Sequence, residues 1–326
     1  MSINNRFEQL TEGAVDAVER RILELTPEEP TSLYEPLHYI HEAGGKRLRP
    51  VLTFLASRLN PDADWISAGT AVELLHTFTL IHDDIMDNAS TRRGKRTLHK
   101  KYDINTAILS GDVLIAHANQ ALAEGKYEDL HLMLAEFAKG FRLVCEGQAL
   151  DKEFENSLTV TLAAYYHMID LKSAKMLELA GVLGAYAAGG KYVEEIRNFA
   201  HNIGKAFQIR DDLLDLTADE ALFGKTKGGD IIEGKRTYMF VKMMDRFTEL
   251  SDMEQLLLRK VQGGNARLND VPKVEELFEK HGILDEADKD IYYFTKKGQD
   301  SLSTIPEGTY KEGLMLFSDY LLGREI

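Results

Sequence analysis

Residues 65–87 put apolar side chains on nearly every face of one helix and then end in three aspartates. The apolar positions are Ile66, Ala71, Val72, Leu74, Leu75, Phe78, Leu80, Ile81 and Ile85. A helix apolar all round has no side to give to water, so other helices of a large core must enclose it. Helix-compatible segments also run over 5–25, 33–43, 50–59, 105–122, 129–151, 158–187, 191–219 and 231–248, with shorter ones to the C-terminus. Few segments alternate polar with apolar, and the chain has only 7 prolines. The breaks at 88–104, 225–229 and 263–272 read as loops, none long enough for an interdomain linker. The expectation is an all-α fold, one large domain over 1–326, with a core able to surround an internal apolar cavity.

The aspartates carry the chemistry. Asp83 and Asp87 lie four apart, one turn along a helix and on one face, with Asp84 about 100° around. The pattern recurs: Leu80-Ile81-His82-Asp83-Asp84-Ile85-Met86-Asp87 is echoed by Gln208-Ile209-Arg210-Asp211-Asp212-Leu213-Leu214-Asp215. One such cluster could be a solvated helix end. Two copies, each closing an apolar helix, need another reason, because aspartate is a poor helix-interior residue and is costly beside a core. Crowded hard oxygen ligands suit Mg²⁺, which keeps waters and shares its shell with substrate phosphates.

The net charge is −14, which repels nucleic acid and anionic membranes. An anionic substrate would then need bridging cations and a local basic cluster. Such clusters exist. Gly44-Gly45-Lys46-Arg47-Leu48-Arg49-Pro50 crowds three positive charges behind two glycines, and Arg92-Arg93-Gly94 follows Asp87 by five residues. Lys172-Ser173, Lys225 and Lys235 complete the candidates. Basic residues beside acid clusters suggest a diphosphate held by Mg²⁺ on one side and by Arg and Lys on the other. His76 lies two turns before Asp83 on the same face, where a backbone-satisfied core histidine and a phosphate contact are both open readings.

In these residues the chain resembles the trans-polyprenyl diphosphate synthases, the farnesyl and geranylgeranyl diphosphate synthases among them. The resemblance spans roughly 40–240 and rests on ordered motifs: GGKRLRP at 44–50, LIHDDIMD running to TRRG at 80–94, GD at 111–112, GQALD at 147–151, KS at 172–173, FQIRDDLLD at 207–215 and GKTKGGDIIEGKRT at 224–237. It implies an isoprenoid synthase-like helical fold and condensation of isopentenyl diphosphate with an allylic diphosphate (dimethylallyl, geranyl or farnesyl). Asp83, Asp84, Asp87, Asp211 and Asp215 would bind about three Mg²⁺ ions, with Mn²⁺ able to substitute, around the allylic diphosphate. Arg92, Lys172, Ser173 and Lys225 would hold that diphosphate, with Lys235 nearby and Gln208 lining the reaction zone. Lys46, Arg49, His76 and Arg93 would hold isopentenyl diphosphate. Serine at 173 replaces the family's usual threonine and keeps the hydroxyl. Phe78, five residues before Asp83, and the smaller Thr79 would set product length. An aromatic at that fifth position accompanies short products, and the motif lacks the two-residue insertion of bacterial-type farnesyl synthases, which points to geranylgeranyl over farnesyl diphosphate. A homodimer is implied as well.

Three other readings compete. A class I terpene cyclase matches only the first motif and needs no second diphosphate cluster. A di-iron carboxylate bundle could use the Glu-x-x-His pairs Glu73/His76 and Glu128/His131, but leaves both aspartate clusters unexplained. A non-catalytic partner subunit would have lost aspartates or basic residues that this chain keeps. The single cysteine, Cys145, excludes an intrachain disulfide and reads as a buried structural thiol in a reducing cytoplasm. The N-terminal MSINNRFEQLTEG shows no signal-peptide pattern, and no apolar run approaches the roughly 20 residues of a membrane span.

Overall fold

Helical periodicity in the sequence is matched by helices in the computed structural model, which describes residues 3–217 and 227–323. The first are α1 (Ile3–Thr11), α2 (Ala14–Leu25), α3 (Thr31–His41), α4 (Leu48–Ser57) and α5 (Trp65–Met86). A two-stranded hairpin follows, β1 (Thr91–Arg92) with β2 (Lys95–Arg96), then α6 (Leu98–Lys101), α7 (Ile104–Glu124) and α8 (Leu130–Glu155). Next come α9 (Leu162–Ile169), a π-helical turn (Asp170–Ala174), α10 (Lys175–Ala187) and α11 (Val193–Thr217). The remainder comprises α12 (Gly229–Glu233), α13 (Tyr238–Met244), α14 (Asp252–Gln262), α15 (Val271–Lys280), α16 (Ile283–Asp300) and α17 (Thr309–Leu322). Among the described residues the fold is all-α apart from the hairpin. Among the described residues no helix is long and apolar enough to cross a membrane.

The contacts group the chain into two units. The first takes residues 1–141, 176–198 and 302–320, and the second takes 142–175, 199–301 and 321–326. In the first unit α5 is the enclosed helix that its composition requires. Residues 67–75 are buried without a gap, as are Thr77, Phe78, Ile81 and Asp84. Its start is set by Asp64, whose carboxylate accepts from the Ser67 N–H at 3.2 Å, a side-chain cap for the first turn. α10 packs on α4 closely enough that a Cβ on Gly184 would stand 2.3 Å from the Thr53 carbonyl oxygen. Thr53 Oγ1 in turn donates to the Ala180 carbonyl at 3.0 Å. The second unit has its own core, in which Tyr165, Ile209, Tyr238, Phe240 and Phe278 are all almost wholly buried.

Five local expectations change. The helix expected over 231–248 is interrupted at Gly234, which sits in the left-handed region at φ 71°, and resumes only over Tyr238–Met244. The single helix expected over 5–25 breaks at Gly13, which sits in the left-handed region at φ 74°. The 158–187 helix carries the π turn at its centre. The 88–104 loop contains the hairpin, closed by Arg93 and Gly94 with φ values of 52° and 74°. Positive φ at both central residues is what a tight type I′ turn requires, and it matches the twist of the flanking strands. Cys145 is exposed on α8, not buried.

Candidate active site

The first unit brings together the first aspartate motif, the glycine-led basic segment and the arginine pair. The Asp87 N–H donates to the Asp83 carbonyl at 2.8 Å, so the two aspartates stand one turn apart at the end of α5. Asp83 is half-buried and Asp87 exposed, whereas Asp84 turns inward and is buried. Arg92 meets the Asp84 carboxylate through both Nε and Nη2 at 2.8 Å. Burial pushes the Asp84 carboxyl up to about 6 even against the pull of Arg92, and the charges of Asp83 and Asp87 add to the rise.

The I′ turn explains how two neighbouring arginines serve different places. Arg92 is on β1 and reaches Asp84. Arg93, in the turn, donates to the Gly44 carbonyl and lies against Gly45, where a Cβ would come within 2.6 Å of Arg93 Nη1. Gly45 adopts φ 148°, so absence of a side chain serves both its backbone and this approach. Arg93 thus stands with Arg49 near His76, while Arg92 is bound to Asp84. His76 is drawn into the same cluster. Its burial holds the imidazole far below its usual range, and the charges of Arg49, Arg93, Arg92 and Arg47 reinforce this, so the ring is neutral and can both donate and accept.

The sequence offers Arg47 only as one of three crowded charges and Glu73 only as a di-iron ligand; their pairing with each other is not legible in it. Arg47 is buried, donating from Nη1 to Glu73 Oε1 at 2.8 Å and from Nε to Glu19 at 3.3 Å. The Glu73 carboxylate is therefore claimed by Arg47, and Glu128 is exposed ahead of α8, which removes the di-iron reading. Sequence gave one faint signal, a glutamate in the middle of an apolar helix.

Below Asp83, Phe78 is 9 % exposed. Its ring meets Phe141 edge-on at 5.3 Å and His82 at 4.3 Å. Gly111 of the GD motif faces this pair: a Cβ there would overlap His82 Nε2 at 2.3 Å and reach Phe78 Cδ2 at 3.3 Å. Thr79 is half-buried, its hydroxyl donating to the His76 carbonyl at 2.8 Å.

The second unit assembles the second motif around the π turn. Lys172 and Ser173 lie in that turn, a feature often found at functional sites. Lys172 Nζ pairs with Asp151 at 2.6 Å. The same GQALD segment brings Gly147 against the Lys172 backbone, where a Cβ would stand 2.4 Å from its nitrogen. Ser173 Oγ donates to Gln208 Oε1 at 2.5 Å, and Gln208 Nε2 donates to Asp212 Oδ1 at 2.8 Å. Asp212 is buried and also accepts from Tyr165 Oη at 2.7 Å and the Tyr238 N–H at 2.8 Å. Burial raises its pKa to about 7, aided by Asp230, while these three hydrogen bonds favour the charged form. Asp211 and Asp215 are half-buried. Asp215 Oδ2 accepts from the Asp230 N–H at 3.0 Å, and Lys235 pairs with Asp230 at 3.3 Å and Glu233 at 2.9 Å. Lys225 lies outside the described residues.

The donor set in each unit is hard oxygen with no thiolate, as magnesium prefers. Among the described residues no group of three or more His, Cys, Asp or Glu side chains is placed to hold a metal ion by itself.

The polyprenyl synthetase family profile matches residues 30–279. A short chain isoprenyl diphosphate synthase of Methanothermobacter thermautotrophicus is 35% identical over 330 residues, covering 100% of this chain and 99% of that protein. The crystal structure of a geranylgeranyl pyrophosphate synthetase from Pyrococcus horikoshii Ot3 superposes with a TM-score of 0.89 at 33% identity, covering 99% of each chain. A polyprenyl synthase from Caulobacter crescentus CB15, complexed with calcium and isoprenyl diphosphate, gives a TM-score of 0.90 at 29% identity, covering 100% of this chain and 98% of that one.

Proposed function

This chain belongs to the polyprenyl synthetase family and is a short-chain prenyltransferase, and we propose that it condenses isopentenyl diphosphate with an allylic diphosphate, head to tail, to give geranylgeranyl or farnesyl diphosphate. The observation that carries this reading is the pair of Asp-Asp-x-x-Asp helix ends at Asp83–Asp87 and Asp211–Asp215, each accompanied by basic side chains. The calcium and isoprenyl diphosphate bound by the Caulobacter relative are of the same chemistry.

In this reading Asp83, Asp84, Asp87, Asp211 and Asp215 hold magnesium, about three ions, beside the allylic diphosphate. When bound, the metal neutralises negative charge on the departing diphosphate. Arg92, Lys172, Ser173, Lys225 and Lys235 bind and orient that group, and the positive charge of the arginine and the three lysines is pre-placed where charge develops. Lys46, Arg49 and Arg93 hold isopentenyl diphosphate, with neutral His76 contributing a hydrogen bond and its double bond set toward the allylic carbon. The split of Arg92 toward Asp84 and of Arg93 toward Gly44 supports separate diphosphates. Phe78 acts as the floor for the growing chain, supported by its edge-on contact with Phe141, and Thr79 adjoins it. A dry apolar wall, which α5 and α10 can supply, keeps water from the allylic cation. The enzyme is further proposed to act as one polyprenyl synthase domain over 1–326, as a homodimer, in the cytoplasm.

The test is incubation of purified protein with isopentenyl diphosphate and each allylic primer, with and without EDTA, followed by sizing of the dephosphorylated products. Metal-dependent elongation is expected; full activity in EDTA would remove the metal assignment.

A further inference from the structure

The second aspartate motif holds a member that does not face a diphosphate. Asp212 is 6 % exposed and accepts three hydrogen bonds from described residues, two on Oδ2 and one on Oδ1. The two on Oδ2 come from the Tyr238 backbone N–H, which can only donate, and from the Tyr165 hydroxyl, 1 % exposed, which donates at 2.7 Å. Oδ1 is left to face the side-chain amide of Gln208. In the ionised form, which these three hydrogen bonds favour, the carboxylate has no proton to give, so the amide must turn its NH₂ toward Asp212 and its carbonyl the other way. The carbonyl then meets Ser173 Oγ at 2.5 Å. An alcohol has one proton, and Ser173 gives its own to Gln208.

We propose that Asp212 is a positioning residue that fixes the polarity of the Gln208 amide, so that Ser173 spends its hydroxyl proton on Gln208 and offers the substrate only lone pairs. This rests on the reading that Gln208 and Ser173 line the reaction zone. It revises one detail of that reading, because Ser173 then cannot donate to a diphosphate. Lone pairs are what an allylic carbon losing its diphosphate can tolerate nearby. A reversed amide would release the serine proton and turn a positive dipole toward developing positive charge, against the preorganisation that catalysis needs. Tyr165, Tyr238 and Asp212 form a buried, hydrogen-bonded base, so the orientation is set before substrate arrives.

The donor and acceptor pattern can be reversed and restored by near-isosteric changes. In Asp212→Asn the new carbonyl must remain at the Tyr165 and Tyr238 donors, so the new NH₂ faces residue 208 and Gln208 must flip. Adding Gln208→Glu restores an acceptor toward both Ser173 and residue 212. The expected result for Asp212→Asn is a loss of kcat of about 10–100-fold. The KM for each diphosphate and the half-saturating Mg²⁺ concentration should stay near wild type. The Gln208→Glu/Asp212→Asn double variant should recover most of the lost kcat. A merely structural role would move the melting curve without this rescue, and a metal-ligand role would raise the Mg²⁺ requirement of both variants. Either pattern overturns the proposal, as does wild-type kcat in Asp212→Asn. Should Asp212→Asn melt below the assay temperature, the double variant decides: folded and active upholds the proposal, and unfolded or folded and inactive overturns it. If wild type elongates no primer, the proposed function has failed and not this inference.

Discussion

Gly147→Ala tests whether the π turn must be held in place for catalysis. A Cβ at 147 would stand 2.4 Å from Lys172 N, 2.7 Å from its Cα and 2.8 Å from the Leu171 carbonyl carbon. Non-bonded heavy atoms are content at about 3.5 Å, so the turn has to retreat by about 1 Å. Its other side is closed as well, because Gly204 of α11 packs there so closely that a Cβ would come 2.6 Å from Ala174 Cα. Overpacking of this kind costs about 1–3 kcal/mol, and the better helix propensity of alanine returns up to about 1 kcal/mol. A net loss of about 0–3 kcal/mol lowers Tm by up to about 4 °C in a chain this size, where unfolding entropy is about 2.1 cal/mol/K per residue. The larger effect falls on function, since a misplacement of about 1 Å can cost about 100-fold in rate, and the displaced atoms are the backbone of Lys172. Gly140→Ala, two turns earlier on α8, is the control: the three atoms nearest its Cβ would all belong to the Leu179 side chain, Cδ2 at 3.0 Å, which can move. Thermal melts and steady-state kinetics on both variants are the assay. A Gly147→Ala enzyme with wild-type turnover, or a Gly140→Ala enzyme equally impaired, would refute the reasoning.

Asp83→Ala and Asp211→Ala should each lower turnover by several powers of ten with the fold retained, since mutual carboxylate repulsion is relieved; near-wild-type turnover in either removes that motif from the chemistry. Glu73→Ala leaves Arg47 buried without its closest partner and should cost about 3–5 kcal/mol in denaturant unfolding; a loss below about 1 kcal/mol would show that the pair is not what fixes residues 44–49. Phe78→Ala should shift the main product to longer chains while activity persists; unchanged product length with a stability loss of about 3–5 kcal/mol would make Phe78 a core residue only. His41 is held at about 3 by burial first and by Arg47 next, so its neutral form is favoured by folding: that stability is present above about pH 6.5 and is lost as pH falls toward 3. His41→Gln should flatten the fall by up to about 1.4 kcal/mol per pH unit in that window, and an unchanged slope would contradict it.

Much of this was legible because it depends on near neighbours in sequence. The all-round apolar face of 65–87 dictated a buried helix, and α5 is buried through residues 67–75. The four-residue spacing dictated that Asp83 and Asp87 share a face. What could not be read depends on partners distant in sequence or on backbone geometry. Nothing local says that Arg47 turns in to Glu73, 26 residues on. Nothing local says that Asp84 faces Arg92 while Asp83 does not, because adjacent helical residues look alike until packing chooses one. Gly147 and Asp151 stood in the sequence as a motif without a reason; the reason is Lys172, which only the fold brings beside them. The π turn has no sequence signature of its own. Cys145 was misplaced because an apolar neighbourhood in sequence is not a buried one when a helix has an outer face.

The central claim is that the two aspartate motifs serve metal-assisted prenyl transfer, and the most direct measurement of it is product formation by the purified enzyme. With radiolabelled isopentenyl diphosphate, Mg²⁺ and dimethylallyl, geranyl or farnesyl diphosphate as primer, chromatography of the dephosphorylated products should show chain elongation ending mainly at geranylgeraniol, and EDTA should abolish it. Failure to elongate any of the three primers, or undiminished elongation in EDTA, would contradict the account.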